Sequence, residues 1–151
     1  MAEKFRYLRS IWGTGAPTVM RVPVGYSQTI VKGDLIMVDA SNGYAIQAGA
    51  AATGIIGIAT GSVTTTASEY GELDVIAIGP DSVIRGYNYE AGSVDAADAS
   101  MILGFALYDI RSDGKIDFND TTGGFIKPIA VSDTVNSTTD FVISAAKLWN
   151  A

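Results

Sequence analysis

The chain contains no cysteine and no histidine in 151 residues. Without thiols there is no disulfide framework and no thiolate or thiol redox chemistry. The missing imidazole removes the usual general base and the commonest metal ligand together. Charge is also scarce. Only 17% of residues are Asp, Glu, Lys or Arg, which is low for a domain of this size. Basic residues are the rarer sign, leaving a formal net charge of −6 and a pI near 4.4. A phosphate backbone calls for clustered Lys and Arg, so nucleic acid is not an expected partner. The N-terminus carries no long apolar run, and neither a signal peptide nor a membrane span is predicted.

What is present is apolar and small. Hydrophobic residues make up 48% of the chain and there are 17 glycines, a composition that excludes disorder. This length fits one domain burying roughly 70% of its unfolded surface. A surface so poor in charge is bland and partly apolar, as expected of a protein that lives against partners.

The organising stretch is Ile30–Ala59. Ile30-Val31-Lys32-Gly33-Asp34 leads into the run Leu35–Val38. The chain then breaks at Ala40-Ser41-Asn42-Gly43, and Tyr44–Gln47 and Ile55–Ala59 follow. Asn42-Gly43 predicts a tight primed turn, because both residues tolerate positive φ. The unbroken runs Leu35–Val38 and Ile55–Ile58 predict strands buried on both faces. Thr18–Val24 reads as an edge or first strand, since Pro23 cannot donate to a central ladder. Further strands are predicted at Leu73–Ile78, Met101–Ile110, Ile116–Phe118, Phe125–Val131 and Asp140–Ser144, with a short one at Val83–Arg85. Single helical turns are expected at Val94–Ala99 and Ala145–Trp149. Many short strands between Gly, Pro, Asn and Asp predict an all-β fold: a small barrel or sandwich of short antiparallel strands with at most one or two helical turns.

Three segments are expected: an N-terminal arm and hinge (1–17), a β-rich core (18–135) and a C-terminal strand and tail (136–151). Lys4, Arg6 and Arg9 alternate with Phe5, Tyr7 and Leu8, the pattern of a half-basic strand rather than a nucleic-acid arm. The Gly13–Pro17 joint gives the same residues a second reading as a swinging arm. Two halves, about 30–79 and 83–131, show weak parallels. Ile30-Val31-Lys32-Gly33 matches Val83-Ile84-Arg85-Gly86, Ile55–Ala59 matches Ile102–Ala106, and Gly71–Ile78 matches Gly124–Val131, in the same order. They suggest either a duplication or the recurrence of glycine where backbones approach closely.

Candidate chemistry is thin. Asp109–Asp120 overlays a calcium loop, with Asp at its first, fifth and twelfth places and Gly at its sixth. Arg111 stands where an oxygen ligand belongs, and a hairpin turning at Ser112-Asp113-Gly114 explains the same residues. Ser144-Ala145-Ala146-Lys147 has a serine–lysine spacing known from acyl-transfer enzymes, without its companion motifs. The carboxylate pairs Glu69/Glu72, Asp95/Asp98 and Asp117/Asp120 fall in polar loops where solvated charge is the ordinary account. Asn136-Ser137-Thr138 is formally a glycosylation sequon. No catalytic, cofactor-binding or metal-binding residue is assigned, and no enzyme activity is expected. The aromatics carry more weight, because large rigid side chains dominate interface energetics. Phe5, Arg6, Tyr7, Leu8, Ile11 and Trp12, with Leu148 and Trp149 at the other end, are the expected interface residues.

The order Ile30–Ile36, an Asn-Gly hairpin and Ile55-Ile56-Gly57-Ile58-Ala59, followed by the Gly71–Gly79 strand, resembles head-decoration (cement) proteins of tailed bacteriophages. The resemblance covers roughly Val19 to Gly79, about two-fifths of the chain. It implies a β-rich homotrimer without cofactor or catalysis, made in the bacterial cytoplasm. Such a protein sits on the outer surface of the virion, binds the major capsid protein and ties adjacent capsomers together against the pressure of packaged DNA. An arm adding a strand to a coat-protein sheet edge would suit that role, and three arms acting together would multiply modest contacts. A β-structured tail or fibre component and a carbohydrate-binding β module are the alternatives.

Overall fold

The computed structural model of the chain describes residues 3–11, 17–92 and 94–149. The fold is all-β, as the sequence predicts, and consists of a closed barrel and a four-stranded sheet. The barrel is formed by β2 (Val19–Val24), β4 (Leu35–Val38), β5 (Ala45–Gln47), β6 (Ile55–Ala59) and β8 (Gly71–Ala77), in the order β2-β5-β4-β6-β8. The sheet runs β1 (Phe5–Ser10), β9 (Ser82–Tyr87), β13 (Thr138–Ile143) and β12 (Ile126–Pro128), antiparallel throughout. Two short antiparallel pairs complete it: β3 (Thr29–Ile30) with β7 (Val63–Thr64), and the hairpin of β10 (Asp109–Ile110) with β11 (Ile116–Asp117). Among the described residues, helical structure is limited to α1 (Ala99–Ile102) and a 3-10 turn at Ala145–Lys147. No helix among the described residues is long and apolar enough to cross a membrane.

The unbroken apolar runs are explained by two cores. Along β4, Ile36 and Val38 join a cluster with Val22, Val24, Leu73 and Val75 inside the barrel. Leu35 and Met37 point the other way, into a second cluster with Phe5, Ile84, Phe125 and Phe141. A strand serving two cores has no polar face to show, so alternation disappears. All five residues of β6 are buried for the same reason. Its alternation slips at Gly57, where the register with β4 shifts. There the barrel backbones are so close that a Cβ on Gly57 would strike the carbonyl of Ile76. On β8, by contrast, Leu73 and Val75 face the barrel core while Glu72 and Asp74 lie outside, where Arg21 pairs with both.

Several expectations are corrected. Residues Phe5–Ser10 are no swinging arm. They form β1, paired with β9 from Phe5↔Gly86 to Ser10↔Ser82, with a bulge between Tyr7 and Arg9. Burying Phe5, 1% exposed, against Phe141 outweighs the freedom of a loose end. This is the half-basic strand of the alternating pattern. Trp12 and Gly13–Ala16 lie outside the described residues. The expected C-terminal strand is β13, which sits in the middle of the sheet between β9 and β12.

The β4–β5 hairpin exists, but its turn is not the tight primed one. Only Gly43 has positive φ (77°), and Asp39 organises a wider loop. The Asp39 carbonyl accepts from the N–H groups of Asn42 and Gly43, and its carboxylate takes the N–H and hydroxyl of Ser41. Short polar side chains capture nearby N–H groups in this way, and the loop widens to accommodate them. The expected strand at Met101–Ile110 survives only as β10, because Asp98 caps α1 instead and accepts from the Ser100 N–H. The helical turn therefore begins at Ala99, the last residue of the Val94–Ala99 window, and runs on to Ile102. Ile102–Ala106 leaves that helix as a loop, whereas its supposed counterpart Ile55–Ala59 is a core strand. At this pair the two halves differ in structure.

The long connection after β9 is held by a buried polar chain. Asn88 Oδ1 accepts from the Thr139 hydroxyl, which meets Ser132 Oγ, and Ser132 Oγ accepts the Ala97 N–H. Asp95 is less well satisfied. Its Oδ1 accepts from the Phe118 N–H at 2.9 Å while Oδ2 is buried without a partner. Burial first, then the nearby Asp117 and Glu90, push the Asp95 carboxyl above its ordinary value despite that bond. The folded state then holds this proton more tightly than the unfolded chain. Its contribution is fully present below the ordinary carboxylate value and is lost as pH rises through the raised one. Asp95→Asn is therefore expected to raise the melting temperature at pH 7, and to raise it less near pH 4. A neutral amide costs less to bury than an unpaired charge. A melting temperature lowered equally at both pH values would contradict this.

Candidate interface

The residues expected at an interface divide sharply. Phe5 and Leu148 are core residues, 1% and 4% exposed. Tyr7 packs against the same core from its edge. Leu8 is half-buried at the β1 bulge, Arg6 is exposed, and Ile11 is partly exposed. Leu148 forms a parallel bridge to Ile55, and the Trp149 N–H donates to the Ile55 carbonyl at 3.1 Å. The tail thus laps onto its own barrel. The Trp149 ring remains half-exposed beside an apolar cavity of about 150 Å³ that it shares with Met20, Val38 and Ile56.

The calcium-like loop resolves into the β10–β11 hairpin. Arg111 N–H donates to the Lys115 carbonyl, and Gly114 N–H to that of Arg111. Its carboxylates are occupied by the protein itself. Asp109 accepts from the N–H groups of Ala51 and Ile110, and Asp117 accepts from Asn119 N–H and pairs with Arg111 at 2.9 Å. Burial raises the Asp109 carboxyl above its ordinary value even so. Among the described residues no group of three or more acidic side chains is placed to hold a metal ion. Of the remaining carboxylate pairs, Glu72 is engaged by Arg21 and Asp98 caps α1.

Three surface features were not anticipated. The loop after α1 presents Leu103 and Phe105, 90% and 102% exposed. It is anchored from beneath by Lys127, whose Nζ donates to the carbonyls of Met101 and Gly104. Val94 and Val135 are also largely exposed. Side chains of this size standing free on a braced loop are the usual sign of a contact surface. The apolar–small alternation Leu103-Gly104-Phe105-Ala106 mimics a strand, and the overlooked signal was Asp98 two residues before Ser100.

The second feature is a stack of three tyrosines. Tyr70 lies between Tyr26 and Tyr44, with ring centroids 3.9 and 4.0 Å apart and planes within 12°. Each adjoins a glycine at a strand end, Gly25, Gly43 and Gly71, so three separate turns are tied together. The Tyr26 hydroxyl above all, then burial and Tyr44, hold the Tyr70 phenol above its ordinary range. The third feature is a polar groove of about 660 Å³ on the outer face of the sheet, bordered by Arg6, Arg85, Tyr87 and Asn136.

No family model matches the chain, and no curated protein matches it. A solved structure does. The fold resembles the N base of head fibre gp8.5 of bacteriophage phi29, with a TM-score of 0.50 over 87% of this chain and 98% of that one. Identity is 10%, so what the two share is the fold.

Proposed function

We propose that this protein is a structural component of a tailed-phage head. In this reading it sits on the outer surface of the shell as a decoration protein, contacts the major capsid protein, and bridges adjacent capsomers as a homotrimer. The observation that carries the reading is the likeness to a phage head-fibre base across nearly the whole of both chains. The exposed pair Leu103 and Phe105 supports it, because side chains left in water here gain free energy once covered by a shell. The role assigned to an N-terminal arm passes to this loop, since β1 is committed to the protein's own sheet.

Co-sedimentation with purified phage heads tests the proposal. The full chain at micromolar concentration should pellet with heads. Leu103→Ser with Phe105→Ser should weaken that binding by more than about tenfold, given the apolar area withdrawn. A wild-type protein that stays in the supernatant would sink the decoration reading. A second reading, the base of a head fibre, is favoured by the nature of the structure it resembles. Copy number per head separates the two: a decoration protein covers the shell, whereas a fibre base occupies few positions.

A further inference from the structure

We propose that the outer face of the four-stranded sheet is a binding site for an acidic sugar, a uronic-acid ring whose carboxylate is received by Arg6. Arg6 and Arg85 stand directly opposite each other on β1 and β9, a placement of like charges that a sheet ordinarily avoids. Arg85 is neutralised by Asp140, which it grips with Nε at 2.7 Å and Nη2 at 3.1 Å. Arg6 has no such partner, and its guanidinium makes no ion pair or hydrogen bond among the described residues. The two carboxylates that line the groove, Glu3 and Asp133, are each engaged by a neighbour in its wall. Glu3 pairs with Lys32 at 3.1 Å. Asp133 takes the Val135 and Asn136 N–H groups and the Asn136 amide, which hold it below its ordinary value. The groove therefore offers one free, planar, five-donor cation, the group best matched to a carboxylate.

The rest of the lining chooses among carboxylate ligands. The Asn136 amide donates to Asp133, leaving its oxygen as an acceptor. The Tyr87 phenol both donates and accepts, and its partly exposed ring gives a flat apolar surface. A simple anion has no hydroxyl for the Asn136 oxygen and no apolar face for the ring. A sugar acid has both. The groove also has the volume of a small-ligand site rather than of a protein interface. This site makes no use of the Leu103–Phe105 loop and does not depend on the head-protein reading.

The test is an amide-resolved NMR titration of the full chain with methyl glucuronide, methyl glucoside and sodium acetate. Methyl glucuronide should shift the amides of Arg6, Arg85, Tyr87 and Thr138 and saturate with a Kd on the order of 1 mM, typical of a small ligand held by few polar groups. Arg6→Gln should weaken it at least tenfold without moving the thermal midpoint, while Arg9→Gln, on the same strand outside the groove, should leave it unchanged. Absence of saturable shifts would overturn the proposal. So would equal shifts from acetate, marking an adventitious ion only, or equal binding of the neutral glucoside. Equal loss in both arginine variants would reduce the effect to general charge and reject the site.

Discussion

Gly57→Ala should cost more than about 4 kcal/mol, a loss seen only when something fundamental is broken. Natural domains hold roughly 5–15 kcal/mol in all, so much of the variant should be unfolded at room temperature. The added methyl would lie on the Ile76 carbonyl of β8, with Val75 on its other side. Neither can retreat, because β6 pairs with β8 at Gly57↔Ala77 and Ile58↔Ile76, and with β4 on its other edge. Val75 is itself fully buried in the barrel core. Relief would have to come from opening the barrel. Urea unfolding measures the loss, with Gly49→Ala as the control. A Cβ there meets nothing within 4 Å, and its effect should stay within about 0.5 kcal/mol. Equal midpoints for the two variants would mean that β6 and β8 do not approach as closely as described.

Phe5→Ala should destabilise by about 3–5 kcal/mol, the range for a large aromatic removed from a packed core. Phe5 meets Phe141 edge to face at a centroid distance of 6.1 Å, and its ring lies over Gly86, where a side chain would crowd it. Its N–H donates to the Gly33 carbonyl at 3.0 Å, and neighbouring Lys4 pairs with buried Asp34 at 3.1 Å. β1 is therefore the tie between sheet and barrel. Ile11→Ala, at the partly exposed end of the segment, should change stability by less than about 1 kcal/mol. A melting temperature for Phe5→Ala within a degree or two of wild type would restore the view of this segment as a detachable arm. Deleting residues 1–12 would for the same reason strip the sheet of an edge strand, so loss of head binding by such a truncation would report unfolding. The Leu103 and Phe105 substitutions avoid that confusion, because those side chains support nothing in the fold.

The fold class could be read from residue order because its signals are local. Ile55-Ile56-Gly57-Ile58-Ala59 has no polar position, so only a strand with both faces covered accommodates it, and β6 is that strand. The alternation of Lys4, Arg6 and Arg9 with Phe5 and Tyr7 likewise describes a strand with one wet face. β9 was harder to see. Arg85 and Gly86 interrupt its apolar run, and only its neighbours explain them. Arg85 finds Asp140 across the strand pair, and Gly86 makes room for Phe5, Ile116 and Phe141. The surface sites were harder still. Tyr26, Tyr44 and Tyr70 are far apart in the chain, and nothing in their spacing says that three turns bring them together at the barrel.

What residue order alone determined is the all-β architecture, the doubly buried strands around Ile55, and the exclusion of thiol and imidazole chemistry. Each follows from side chains and their immediate neighbours. Tertiary structure alone decided which apolar residues are spent on the protein's own core and which are left for others. Phe5 and Phe105 look alike in the sequence, and only strand pairing across some eighty residues buries the first. Nothing in the described fold covers the second. Burial is a property of what surrounds a side chain, and those surroundings come from distant parts of the chain.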